Sequence, residues 1–451
     1  MRQPMKILPK LTLVLFSCFL SALPVQSQTW DGVEYLGNQN LYSTVGYSDC
    51  WGYTAPDGRE YALLGVRSGV SIIDITGAPT LKEIAFIPNP AGESDAMSIK
   101  TYRHYAYVAN DDGGGINIVD LSLLPTSASL ARTYIDLNRS HALYIDTTDA
   151  LLYAQHDGDK GIIVFSLADP LQPAVVDSFG LHCHNIYARD KRAYISEGVA
   201  GTFAIYDVSA FPHPPLLKRT PLPPDGGFAH SAWVTEDGNY LLASYETAHR
   251  TAKLWSINDA DSVYVAGEYI GPTAFPHHVY IKGHYAYFAH YLDGLRIVNI
   301  SSPFDLSEVA FFDSYGPSGS GYHGAWGAFP FFPSGKIILS DIETGLYVVR
   351  FLPPIASIGK KGPAHEFVLH QNHPNPFNPE TVVRYQLSVI SEVRLSVFDV
   401  LGREVAVLVD REEGPGSHDV QWDATTMPSG VYYYRLVAGE RIETKRMLFI
   451  R

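Results

Sequence analysis

The sequence is poor in cysteine, in charge and in long apolar runs. Three cysteines in 451 residues cannot staple a disulfide scaffold. Charged residues make up only 18%, and cations are the scarcer kind: 33 Lys and Arg against 47 Asp and Glu leave a formal charge of −14. That balance repels a phosphate backbone and argues against a nucleic-acid partner. Beyond residue 23 no apolar run approaches the ~20 residues of a membrane-spanning helix, so no span is expected in the mature chain. Apolar positions recurring every 3.6 residues are also missing, which argues against helical repeats. What is present is 46% hydrophobic residues, including 29 Tyr and 21 Phe, punctuated by 38 Gly and 30 Pro. This is the composition of strands and turns in a chain long enough for more than one core.

The amino end reads as a targeting segment. Arg2, Lys6 and Lys10 precede an apolar run over residues 11–23, and Val25-Gln26-Ser27 offers small residues for cleavage. Residues 1–27 are therefore expected to be a secretory signal peptide. Of the cysteines left after it, Cys50 and Cys183 fall in repeats nearly opposite one another, too far apart for the ~7 Å Cα separation a disulfide allows.

A glycine followed by an apolar strand then recurs, as in Gly69-Val-Ser-Ile-Ile-Asp74, Gly115-Ile-Asn-Ile-Val-Asp120, Gly161-Ile-Ile-Val-Phe-Ser166, Gly201-Thr-Phe-Ala-Ile-Tyr206, Gly294-Leu-Arg-Ile-Val-Asn299 and Gly345-Leu-Tyr-Val-Val-Arg350. Ala252-Lys-Leu-Trp-Ser-Ile257 takes the same place without the glycine. Each is preceded by another apolar strand, such as Tyr61-Ala-Leu-Leu64, and followed by a Ser/Thr/Asp/Pro turn and a more polar strand, such as Lys82-Glu-Ile-Ala-Phe86. Four short strands per unit of about 46 residues is the spacing of a β-propeller blade. The pattern predicts an all-β chain: a seven-bladed β-propeller over residues 28–354, followed by a second domain. The last unit has only three strands of its own. The unclaimed stretch Gly32-Val-Glu-Tyr-Leu36, within a lead-in at 28–47, is expected to supply the fourth and close the ring, leaving no open edge.

The Ile-Val-Asp and Ile-Val-Asn strands resemble those of LVIVD-repeat propellers. Trp51-Gly-Tyr53, Ile99-Lys100 before Tyr105-Ala-Tyr-Val108, and Phe311-Phe-Asp313 resemble, more closely, the choice-of-anchor B family of secreted bacterial propellers. That resemblance implies no established activity.

Residues 355–366, with Gly359, Lys360, Lys361, Gly362 and Pro363, read as a linker. Residues 367–451 then hold six or seven short alternating strands, which fits an immunoglobulin-like β-sandwich. The motif Asn375-Pro376-Phe377-Asn378-Pro379, together with Phe398-Asp-Val-Leu-Gly402, Trp422-Asp423, Ser429-Gly430-Val-Tyr432 and Lys445-Arg-Met-Leu448, resembles the type A sorting domain of the type IX secretion system. The resemblance implies that the type IX machinery is a partner through residues 367–451. It also implies a secreted or outer-membrane-surface location in a Gram-negative bacterium.

One constellation has chemistry in it. His141, His184, His230, His277 and His323 recur at intervals of about 46 residues, each as His-x-apolar-aromatic at the start of an innermost strand. In this topology the first strand starts on the face where the second ends, so acids after the second strands, including Glu197 and Glu246, are expected at the same mouth of the channel. A ring of imidazole and carboxylate is a candidate site for a divalent metal, and a metal with an open position activates water. Duplication of one blade would leave the same periodicity with no ligand, the imidazoles bonding to neighbouring backbone. His182-Cys183-His184 alone is weak, since alternation sends Cys183 to the opposite face. Three functions stay open. The first is a binding module with an extracellular ligand, protein or glycan, or a metal at this mouth. The second is a metal-dependent hydrolase or lyase, and the third a structural surface protein. No catalytic residue is identifiable, and no nucleophile elbow, phosphate loop or His-Glu-x-x-His motif occurs.

Overall fold

The structure, a computed structural model, describes residues 28–451 except 157–160, 181, 259–262, 274, 317–320, 355–366, 388–389, 415 and 439–440. The expected signal peptide and linker both lie outside the described residues. Among those described, all regular structure is β. The chain divides into two compact units between Pro353 and Pro354.

The first unit contains seven antiparallel sheets; in five of them the strands run in chain order from the inside outwards, and in the sixth and seventh the outermost strand comes from the start of the unit. Their innermost strands are Tyr47–Thr54, Met97–Tyr102, Leu143–Asp146, Asn185–Arg189, Ala229–Val234, His278–Lys282 and Ala325–Phe329. Each of these touches the next, and the last touches the first. Inner strands are buried along their length because both faces of a sheet pack on neighbouring sheets: every residue of Glu60–Val66 is buried, Glu60 included. Outer strands such as Ala174–Phe179 are mostly exposed.

The recurring glycine has a steric cause. Gly115, Gly161, Gly294 and Gly345 have φ between +72° and +88°. A Cβ on Gly115 would lie 2.0 Å from the Tyr134 carbonyl oxygen, and one on Gly294 would lie 2.1 Å from that of Phe312. Only glycine combines a left-handed backbone with so close an approach of the outer strand.

Val33–Gln39 pairs antiparallel with Gly345–Phe351 and is the outer strand of the seventh sheet. Trp30–Asp31 adds a short fifth strand to the sixth. The seam between the seventh and first sheets is ionic: the Lys336 ammonium lies 3.0 Å from the Glu60 carboxylate, and both are buried. Burial alone would raise the Glu60 carboxyl, but hydrogen bonds from Ser334 and Lys336 outweigh it and hold it low. Cys50 and Cys183 are both buried and free.

The second unit has a three-stranded sheet, Phe367–Leu369, Glu380–Leu387 and Gly416–Asp423. A four-stranded sheet runs Glu404–Glu413, Ser391–Phe398, Gly430–Ala438 and Arg441–Phe449. Tyr385 and Trp422 from one share a core with Leu395, Tyr434 and Met447 from the other.

Candidate functional site

Successive sheets repeat one register, so equivalent side chains reach the same end of the channel. His141 and His184 lie just before their innermost strands, His230 is the second residue of its strand, and His277 directly precedes His278–Lys282. The imidazoles form a continuous arc. Ring centroids are 4.5 Å apart for His141–His184 and for His184–His230, and 4.2 Å for His230–His277. His278 joins the same group, 5.0 Å from His230. One nitrogen from each of His141, His184 and His230 lies within 4.8 Å of the others, and the same holds for His230, His277 and His278.

Second partners orient two of the rings. His277 Nδ1 is 2.6 Å from the Trp326 carbonyl oxygen. A carbonyl only accepts, so Nδ1 carries the proton and Nε2 keeps its lone pair. His141 Nδ1 is 3.2 Å from Asp111 Oδ2, and that hydrogen bond holds the Asp111 carboxyl below its ordinary range. Imidazoles that bind metals are commonly fixed in this way, through the nitrogen that does not ligate. By contrast, His184 Nε2 and His230 Nδ1 are buried with no hydrogen-bond partner among the described residues. Each such orphan costs about 1–3 kcal/mol.

Burial, reinforced by the neighbouring imidazoles, pushes His184, His230 and His277 well below the usual histidine pKa. Burial does the same to His278, with Lys100 adding to it. These rings are neutral at pH 7 and present lone pairs rather than charge. Glu246 stands beside them, with carboxylate oxygens 3.8 Å from His230 Nε2 and 3.9 Å from His277 Nε2. Those distances are too long for hydrogen bonds and suit an intervening atom. The Tyr291 hydroxyl donates to Glu246 at 2.5 Å, while burial raises the carboxyl.

Beside His141 and His278 lies a cavity of about 40 Å³, walled also by Asp49, Lys100, Tyr144, Trp233 and Tyr280 among others. Lys100 faces Asp49 at 3.6 Å and lies 4.1 Å over the Trp51 ring. At ~10–15 Å³ per water position, the cavity takes a few waters or one ion, far less than the ~300–1,000 Å³ of an organic ligand site.

Two residues expected at the mouth are engaged by partners other than the clustered imidazoles. His323 is half-exposed, with Nδ1 2.6 Å from Glu343 and its ring stacked on Tyr315. Glu343 also accepts from the Gly324 N–H at 3.0 Å, which fixes the turn beside the ring. Glu197 is taken up by Arg219, at 2.7 and 2.8 Å, and by the Thr202 hydroxyl at 2.6 Å. His278 is the residue that sequence reasoning passed over. Its signal was the His277-His278 doublet, of which strict alternation assigns only one ring to the mouth.

In the second unit the motif at residues 375–379 is clamped to the last strand. Phe377 is buried and stacks on Phe449 with centroids 5.1 Å apart. Its N–H donates to the Leu448 carbonyl, and its own carbonyl accepts from Ile450. Asn375 accepts from the Leu448 N–H at 2.8 Å. Pro376, Asn378 and Pro379 complete this turn; Ala424 N–H donates to the Pro379 carbonyl at 2.9 Å. Gly430 opens the strand Gly430–Ala438, and Lys445 pairs with Tyr434 across it.

Residues 93–136 and 277–314 match the LVIVD repeat, the latter beginning at the His277-His278 doublet. Residues 372–450 match the secretion system C-terminal sorting domain. The chain carries LVIVD repeats and a type IX sorting domain. It is therefore exported by that machinery and is secreted or displayed at the cell surface. No curated protein matches the chain.

Among solved structures, the WD40 β-propeller domain of Doa1 is similar at 12% identity and a TM-score of 0.53, over 70% of this chain and 97% of that one. U3-55K is similar at 10% identity and a TM-score of 0.52, over 71% and 98%. Hydrazine synthase of Kuenenia stuttgartiensis is similar at 12% identity and a TM-score of 0.50, over 66% and 94%. At such identities the likeness speaks for the β-propeller fold alone.

Proposed function

We propose that the seven sheets are the blades of one closed propeller, that the second unit is an immunoglobulin-like sandwich, and that residues 1–27 and 355–366 are the signal peptide and linker. The propeller acts as an exported binding module, and its ligand at the histidine mouth is a divalent transition metal. The observation that carries this reading is the pair of orphaned buried nitrogens, His184 Nε2 and His230 Nδ1, within an arc of neutral imidazoles. Tetrahedral ligands of one zinc at the usual Zn–N bond length lie about 3.4 Å apart. The sets, whose donor atoms lie within 4.8 Å of one another, would draw in by up to about 1.4 Å to close on an ion. Imidazole with one carboxylate suits zinc, copper or nickel better than calcium or magnesium.

The test is elemental analysis of the mature chain, purified without a polyhistidine tag, before and after incubation with zinc. A stoichiometric ion that disappears in the His230→Asn/His277→Asn double variant supports the site. A wild-type protein still empty after incubation, or a variant that keeps its metal, overturns it. A second reading, a metal-dependent hydrolase or lyase, draws on Glu246, which stands close enough to orient a metal-bound water. The cavity of about 40 Å³ leaves little room for an organic substrate and favours binding over turnover. A third reading, a structural surface protein, would follow from the empty wild type.

A further inference from the structure

The innermost strands have two ends, and the histidines occupy one. At the other end of the same strands lies a second, larger and more open depression, of about 470 Å³, lined by Tyr187, Arg189, Trp233, Glu236, Ile281 and Phe331 with Val234. Arg189 ends the strand Asn185–Arg189, Glu236 follows Ala229–Val234, and Phe331 follows Ala325–Phe329. A five-residue strand puts the two mouths roughly 15 Å apart. Trp233 and Tyr187 line both.

The lining has three properties that together select a ligand. Its floor is aromatic: Trp233 and Phe331 stack with centroids 5.5 Å apart and planes 22° from parallel, and Tyr187 lies 4.1 Å from Trp233. Its lining carries one cation, Arg189, and one anion, Glu236, with the exposed Asp190 carboxylate beside the cation, so it offers no excess of positive charge to an acidic ligand. These rim groups are held in place: Arg189 Nη2 donates to the Glu236 carbonyl at 3.1 Å, its Nε lies 3.0 Å from Asp190, and Glu236 Oε1 accepts from the Gly283 N–H at 2.9 Å. A guanidinium has five N–H donors, more than these contacts use.

We propose that this mouth binds a neutral oligosaccharide. A sugar ring presents a C–H face that packs on an indole or phenyl ring, and an edge of vicinal hydroxyls that both accept from Arg and donate to carboxylate. A purely apolar ligand would bury the guanidinium and carboxylate unpaired, which is costly. An acidic or basic ligand would meet one rim charge of its own sign. The volume lies within the range of organic ligand sites, unlike the cavity on the histidine side. This site stands independently of the metal reading.

The experiment is a titration of the mature chain, followed by tryptophan fluorescence and calorimetry, with soluble cello-, xylo-, manno-, laminari- and chito-oligosaccharides. Saturable binding of at least one series is expected, weakened about tenfold or more by Arg189→Ala or by Glu236→Gln. The melting temperature should stay unchanged in both, since these side chains line the rim rather than the core. Phe331→Ala should weaken binding in the same way, while EDTA and the His230→Asn/His277→Asn variant should leave it intact. Absence of saturable binding by every series at millimolar concentration would overturn the proposal. So would binding that neither rim substitution alters, or binding that EDTA abolishes.

Discussion

Acidifying the metal-free protein from about pH 7.5 to about pH 5.5 should remove roughly 3 kcal/mol of propeller stability through His230 and His277 alone. An unfolded imidazole titrates near 6.5, and burial holds both rings well below that in the fold. As pH falls through 6.5 the unfolded chain takes up protons that the folded chain refuses, so stability is lost towards acid. One unit below the unfolded pKa, each ring that stays neutral in the fold contributes about 1.4 kcal/mol. Two give about 3 kcal/mol, and His184 with His278 extend the limit to about 6 kcal/mol, against a total stability of ~5–15 kcal/mol. Glu246 and Asp49 work the other way, because burial raises their carboxyls and the fold gains protons first. Asp111 and Asp293 are held low, so their contributions fade only below the ordinary carboxylate range. The decisive quantity is therefore the difference between the wild type and His230→Asn/His277→Asn. It is read from urea midpoints in EDTA at both pH values. Acid sensitivity equal in the two proteins within about 0.5 kcal/mol would refute the reasoning, since the imidazoles would then be charged or exposed in the fold.

Three further outcomes follow from the packing. Lys336→Met leaves the buried Glu60 carboxylate unpaired at the seam and should cost about 3–5 kcal/mol by urea denaturation, most of it recovered in the Lys336→Met/Glu60→Gln double variant. Gly294→Ala forces a Cβ to within 2.1 Å of the Phe312 oxygen at φ +72°, and should cost about 3 kcal/mol or more. Gly283→Ala, at φ +59° with nothing within 4 Å, should lower the melting temperature much less. Phe377→Ala empties a buried site against Phe449 and Trp422 and should destabilise the second unit by about 3–5 kcal/mol. In the native host the same change, like deletion of residues 367–451, should leave the protein in the periplasm, as fractionation and immunoblotting would report.

The repeat was legible because its marker is a local necessity. A left-handed glycine with the outer strand's carbonyl against its Cα recurs wherever the same turn is built, so Gly115, Gly161, Gly294 and Gly345 stand out with no knowledge of their neighbours. The unit around Ala252–Ser256 forms its strand without the marker and was recognisable only by place. The sorting motif was legible for a related reason, since Asn375 and Phe377 are both consumed by contacts with one strand.

The candidate site was half legible. Periodicity located His141, His184, His230 and His277 on one end of their strands. It could not foresee that Glu343 captures His323 or that Arg219 captures Glu197, because those partners lie on other strands and loops. Nor could it admit His278, since alternation holds inside a strand and fails at its first residue, where both rings of the doublet reach His230.

The sequence by itself determined the all-β repeat, the export signal carried by residues 372–450 and the axial position of the histidines, all of which follow from steric rules acting over a few residues. The tertiary structure decided which imidazoles meet, which nitrogens are left without partners and how little room lies beside them. Those depend on sheets far apart in the chain being brought around one channel. Burial there removes water from the rings and makes neutral, lone-pair-bearing ligands of histidines that would otherwise titrate near neutrality.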